Sequence, residues 1–222
     1  MARRYLSFTD RTGEIAFAVF MVIIINGYVA LSNLNTGFLY IVVVNIGACA
    51  SWGFIDGFLY AITSSIDRNN LRNKLFYLKK LAGEKEDLNK KALLNNVEKK
   101  MDDSFFSSYD MEGKEAIAKN IVEYAPQATV ADNRLFTRDE ILGWASIVSI
   151  YLVVGFLLAL PFLILPDKLL AWFISNVFGV AWLFWYGLQL GKIVGKHRLA
   201  LGFGMAAIGI AFLAISYLAW AG

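Results

Sequence analysis

The chain has 222 residues, 58% of them hydrophobic and only 18% charged, a balance too apolar for an ordinary soluble domain. Its net charge of +3 comes with no basic stripe interleaved with aromatics, which argues against nucleic-acid binding. Cys49 and His197 are the only cysteine and histidine, so a disulfide within the chain and a cysteine-based metal site are excluded. No Cys/His, Ser/His or His-cluster centre can be built, and the expectation is a non-enzyme with no resident cofactor.

In chain order, five apolar runs are long enough to cross a hydrocarbon core of about 30 Å as helices: residues 15–31, 38–64, 141–165, 169–191 and 199–220. None alternates with the period of a membrane strand, and a lone segment in lipid satisfies its backbone only as a helix. The predicted fold is all-α, a five-helix transmembrane bundle with a small helical cytoplasmic insert between spans 2 and 3. Residues 1–64 carry spans 1 and 2, 65–140 the insert, and 141–222 spans 3 to 5.

Charge sets the orientation. Three basic residues precede span 1, fourteen lie in the insert, three (Lys192, Lys196, Arg198) sit between spans 4 and 5, and Lys168 alone falls on the other side. By the positive-inside rule the N-terminus and the insert are cytoplasmic and the C-terminus is outside. With no organellar address in view, a prokaryotic plasma membrane is the default, and the lipid bilayer is the first partner.

Within the insert, Leu71, Leu75, Leu78 and Leu81 extend the second helix to about residue 82, and Gly83 breaks it. A second insert helix is expected over 85–105 and a third over 112–124, ended by Pro126. Fourteen acidic residues accompany the fourteen basic ones, the pattern of a solvated, salt-bridged surface.

Asp56 is the one acid well inside an apolar run. A carboxylate near the bilayer centre costs on the order of 3 kcal/mol, and such groups face a bundle interior or a watery route. It is a ligand for a cation, a proton acceptor, or a structural bond between helices. Glu14 and Asn26 on span 1 are candidate partners, with Glu14 equally able to serve the positive helix start. Asn26 and Asn45 suit bonds between helices. Gly53-xxx-Gly57 and Gly187-xxx-Gly191 are spacings that allow close helix approach.

The segment "TDRTGEIAFAVF" with Asp10, Gly13 and Glu14, the segment "FIDGFLYAITSSIDR" with Asp56 and Gly57, and "VGFLLALP" with Gly155 and Pro161 together resemble the vacuolar iron transporter family. The likeness covers the order of spans along nearly the whole chain, while the motifs match in part: Val154 and Leu158 replace a Gly and a Pro, and Asp56 falls at or beside a family methionine. The resemblance implies a homodimer that exports a divalent metal ion such as Fe²⁺ or Mn²⁺, as substrate, in exchange for protons. The route would lie between spans 1 and 2, with Asp10, Glu14, Asn26 and Asp56 along it. It also implies metal-gathering groups in the insert, here Met111, Glu112, Glu115, Glu84 and Asp87, with Glu98 and Asp102 a further pair. An oxygen ligand in place of a sulfur favours harder cations. The competing expectation is a membrane scaffold that no longer transports, whose insert binds a partner.

Overall fold

A computed structural model describes residues 5–32, 37–83, 108, 110–124, 127 and 134–221. The described residues form six α-helices and no strand: α1 (Phe8–Ser32), α2 (Phe38–Gly83), α3 (Met111–Tyr124), α4 (Arg138–Ile164), α5 (Lys168–Val194) and α6 (Arg198–Ala221). Four of them, α2, α4, α5 and α6, are long and apolar enough to cross a membrane. The expected helix over 85–105, with Glu84, Asp87, Glu98 and Asp102, lies outside the described residues.

Helices α1 and α4 begin several residues before their apolar runs because their first turns are polar, whereas α2 begins with its run. Before α1, Ser7 and Asp10 cap each other: the Asp10 amide donates to Ser7 Oγ (3.0 Å) and the Ser7 amide to Asp10 Oδ2 (3.2 Å). Thr137 and Glu140 form the same reciprocal box before α4, and Asp167 Oδ1 accepts from the Leu170 amide (3.0 Å) to start α5. Each box satisfies amides that the first turn leaves open. At the other end of α5, Gly195 takes the left-handed conformation (φ 78°), and its N–H closes on Gly191 O.

The chain divides into two compact units, residues 1–62 with 137–222, and residues 63–136. In the first, one side of α1 is enclosed: Ala16, Ala18, Val19, Val22, Ile23 and Asn26 are all buried. They pack with Cys49 of α2, with Ile147, Tyr151, Val154 and Leu158 of α4, and with Leu183 of α5. The opposite faces of α2, α4, α5 and α6 expose large apolar side chains such as Val43, Phe156, Phe178 and Phe203, as expected where lipid is the solvent. Lipid gives helices no hydrophobic reason to associate, so close backbone packing has to do it. Glycine supplies that packing: a Cβ on Gly187 would meet Leu201 O of α6 at 2.3 Å, and one on Gly191 would meet Arg198 Cα at 2.4 Å.

In the second unit, the Arg68 guanidinium donates to the carbonyls of Arg134 (2.8 Å) and Leu135 (3.2 Å). The Ser65 hydroxyl also donates to Leu135. Helix α3 starts at Asp110, whose carboxylate accepts from the Gly113 amide (2.8 Å).

Candidate functional site

Helices α2 and α4 meet along a seam in which four glycines each receive a side chain of the other helix. Gly53 faces the Tyr151 ring and Cβ, Gly57 the Trp144 indole, Gly143 the Tyr60 ring, and Gly155 the Cys49 sulfur, all closer than any added Cβ could tolerate. The Trp144 indole N–H then reaches the Phe54 carbonyl (3.1 Å). Gly53-xxx-Gly57 is thus the hole into which α4 sets two aromatic rings, and one of those rings carries a hydroxyl.

That hydroxyl organises the site. Tyr151 is fully buried and donates its hydrogen to Asp56 Oδ2. Glu14, arriving on α1, lies near enough to that hydroxyl to interact with it, and it feels the charges of Asp56 and of Asp10. Both carboxylates are half-buried. Three helices therefore bring two acids to one tyrosine: α1 gives Glu14, α2 gives Asp56 and α4 gives Tyr151. Such a group offers only hard oxygen donors and an excess of negative charge.

The remaining residues of the expected route serve other ends. Asp10 is the partner of Ser7 in the α1 cap, its carboxylate also accepting from the Ser7 hydroxyl (2.6 Å). Asn26 is fully buried and ties four helices together. Its side chain donates to Ser175 Oγ of α5 (2.8 Å) and accepts from Asn45 Nδ2 of α2 (2.8 Å). Its carbonyl accepts from the Trp172 indole (3.0 Å), and Ser175 passes the line to the Leu158 carbonyl of α4 (2.7 Å). Pro161, inside α4, accepts the capping N–H of Leu165 on its carbonyl.

In the insert, Met111 and Glu112 stand exposed in the first turn of α3. Glu115 is paired with Lys119 at 2.7 Å, one turn on, in the order that suits the helix dipole. The Lys119 hydrogen bond and charge hold the Glu115 carboxyl below the usual carboxylate range, so the pair persists at neutral pH and weakens only as acid protonates it. A metal at Glu115 would first have to displace Lys119. Among the described residues, no three His, Cys, Asp or Glu side chains are grouped to hold a metal ion.

Two grooves of about 490 and 410 Å³ run along α4 and α5, joined at Val154, Leu157 and Trp182. Their walls are almost wholly apolar and include neither Glu14 nor Asp56, so these two grooves are not where the ionisable chemistry of the described residues sits.

Sequence reasoning named Asp56 and Glu14 as candidates and did not name Tyr151, which the fold sets beside Asp56. An aromatic side chain in an apolar run counts as core, and the available signal was indirect: a buried Tyr hydroxyl needs a partner, and Asp56 needed one too. No protein-family model matches this chain, and no curated protein matches it.

Proposed function

We propose that the chain is a transporter of divalent metal ions, exporting Fe²⁺ or Mn²⁺ from the cytoplasm in exchange for protons. The observation that carries this reading is the meeting of Glu14 and Asp56 at the Tyr151 hydroxyl. Acids inside apolar helices are expensive and face routes or partners, and here two from different helices share one place. Two carboxylates balance the charge of one divalent ion, with hard oxygens that suit Mn²⁺ or Fe²⁺. With the ion gone, a proton on Glu14 can be donated to the Tyr151 oxygen. A continuous line Glu14–Tyr151–Asp56 then forms, so ion and proton compete for the same oxygens.

The resemblance to vacuolar iron transporters supports the same reading, including a homodimer in which a second copy completes the coordination. Within it α1 is a fifth span, the N-terminus and the insert lie in the cytoplasm of a prokaryotic cell, and the C-terminus is outside. The route of one protomer includes α4 as well as α1 and α2, because the Tyr151 hydroxyl is bonded to Asp56.

One observation favours the scaffold instead: Glu115, an expected metal collector, is held by Lys119. Proteoliposome uptake separates the two. With an imposed pH gradient, the parent chain takes up Mn²⁺ and Fe²⁺, while Asp56→Asn and Glu14→Gln each lose at least tenfold in rate. Unchanged, pH-dependent uptake in Asp56→Asn removes the role of Asp56, and no uptake by the parent chain leaves the scaffold.

A further inference from the structure

The smaller of the two grooves, about 410 Å³, is built by three helices. One face of α4 lines it from Leu142 to Leu157, a stretch of about 22 Å. Ile15 of α1 and Trp182 of α5 complete the walls. Tyr5 stands at the end where the helices begin: its carbonyl accepts from the Tyr60 hydroxyl (3.0 Å), and the Tyr60 ring lies against Gly143. The depth comes from the small side chains of Ala145, Ser146 and Ser149 on α4.

This lining suits an apolar occupant. The Ser146 hydroxyl donates to the Leu142 carbonyl and the Ser149 hydroxyl to the Ala145 carbonyl, each at 2.7 Å, so both are satisfied inside α4. A peptide or a sugar would lose its own hydrogen bonds against such walls. A helix of a second copy, about 10 Å across, would take up on the order of 1,700 Å³ over the same length, several times what the groove holds. An acyl chain does fit, because one leaflet contributes about 15 Å to a hydrocarbon core of about 30 Å, less than the length of the groove.

The mouth suits negative charge. Arg11 and Arg138 stand one turn before Ile15 and Leu142, on the same faces of α1 and α4. The Arg11 side chain runs back to the start of its helix, with Nε 3.4 Å from the Ser7 carbonyl and the guanidinium over the Phe8 ring, and Arg138 is exposed. Of the acids closest to them in sequence, Asp10 and Glu140 accept from the amides of Ser7 and Thr137 in their own caps, and Asp139 is exposed about 100° round α4 from Arg138. Guanidinium groups match the planar, forked geometry of phosphate oxygens.

We propose that this groove binds one anionic phospholipid, an acyl chain lying along Ile15, Ser149 and Trp182 and the phosphate held by Arg11 and Arg138. The lipid belongs to the leaflet on the side where α1 and α4 begin. Ile15 follows Glu14, so the acyl chain packs on the helix that carries this acid, but the site does not depend on what the protein transports.

Native mass spectrometry of the full chain in detergent micelles, titrated with phosphatidylglycerol, phosphatidylcholine or inorganic phosphate, tests it. The parent is expected to hold one phosphatidylglycerol about thirtyfold more tightly than phosphatidylcholine, the discrimination that two basic residues give towards an anionic headgroup, and millimolar phosphate should leave it bound. Ser149→Phe fills the groove and should lose the bound lipid. Arg11→Gln with Arg138→Gln leaves the groove open and should bind both lipids alike, so the test stands on this pair if Ser149→Phe fails to fold. Equal affinity of the parent for the two lipids, displacement by phosphate alone, an undiminished preference in the arginine variant, or full binding by a folded Ser149→Phe overturns the proposal. A chain that moves no Mn²⁺ in vesicles but meets these lipid criteria keeps the site and loses the transport reading, so the two failures are separable.

Discussion

At the scale of single residues, the two acids at the start of α1 have different work although they lie one turn apart. Asp10 caps the helix with Ser7, whereas Glu14 reaches Tyr151. Asp10→Ala is expected to lower stability by about 1 kcal/mol, the usual loss of an N-terminal cap, with the uptake rate per folded molecule unchanged. A tenfold fall in uptake would return Asp10 to the route. Tyr151→Phe keeps the ring in its Gly53 hole and removes only the donor to Asp56. Buried bonds of this kind in membrane proteins are worth about 1 kcal/mol, so denaturation in mixed micelles should show a loss of that order. Repeating the substitution in Asp56→Asn should show a smaller loss, because the pair is already broken. Equal losses in both backgrounds would mean that the hydroxyl acts elsewhere.

At the scale of elements, each apolar run of the sequence falls on one long helix, to within the C-cap residue Leu165 of α4, because sustained hydrophobicity over such lengths has no other backbone solution in lipid. The starts were not legible, since Ser7, Thr137 and Asp167 are polar residues outside the apolar runs that hydropathy follows. Gly53-xxx-Gly57 was legible as a place of close approach, but which helix approaches was not: spacing along α2 says nothing about α4. The same gap hid Tyr151, whose partner is 95 residues away. Glycine substitutions put numbers on these contacts. In Gly57→Ala the new methyl would lie 2.9 Å from the Trp144 carbonyl oxygen, and in Gly187→Ala 2.3 Å from that of Leu201. Backbone cannot step aside as a flexible side chain can, and overpacking of this kind costs about 1–3 kcal/mol. Gly47→Ala meets nothing within 4 Å and gains up to about 1 kcal/mol from helix propensity alone. Thermal unfolding in detergent should therefore order the variants as Gly47→Ala at or above the parent, with the other two below it. The seam and the α5–α6 contact are wrongly described if all three behave alike.

At the scale of the whole molecule, the open quantity is the number of crossings, and parity decides it. Helices α2, α4, α5 and α6 are apolar enough to cross a membrane, and an even number of crossings returns the C-terminus to the side on which the chain starts. Helix α1 has 25 residues, about 37 Å of helix, which exceeds the hydrocarbon thickness of about 30 Å. Its polar groups argue for its position in the bundle and not against its crossing. Asn26 is satisfied by Ser175 and Asn45, Glu14 lies near the Tyr151 hydroxyl, and the apolar residues between them are covered by α4 and α5. A helix wrapped by others tolerates side chains that lipid would reject. Five crossings would put the two ends on opposite sides of the membrane, with the N-terminus on the same side as the fourteen basic residues of segment 65–140. Reporter fusions at each end of the chain, one active only in the cytoplasm and one only outside it, should give opposite readings at the two termini. Matching readings at both ends would leave α1 on one side of the bilayer. Glu14 would then have to reach Tyr151 from the membrane surface, and a route between α1 and α2 would be lost.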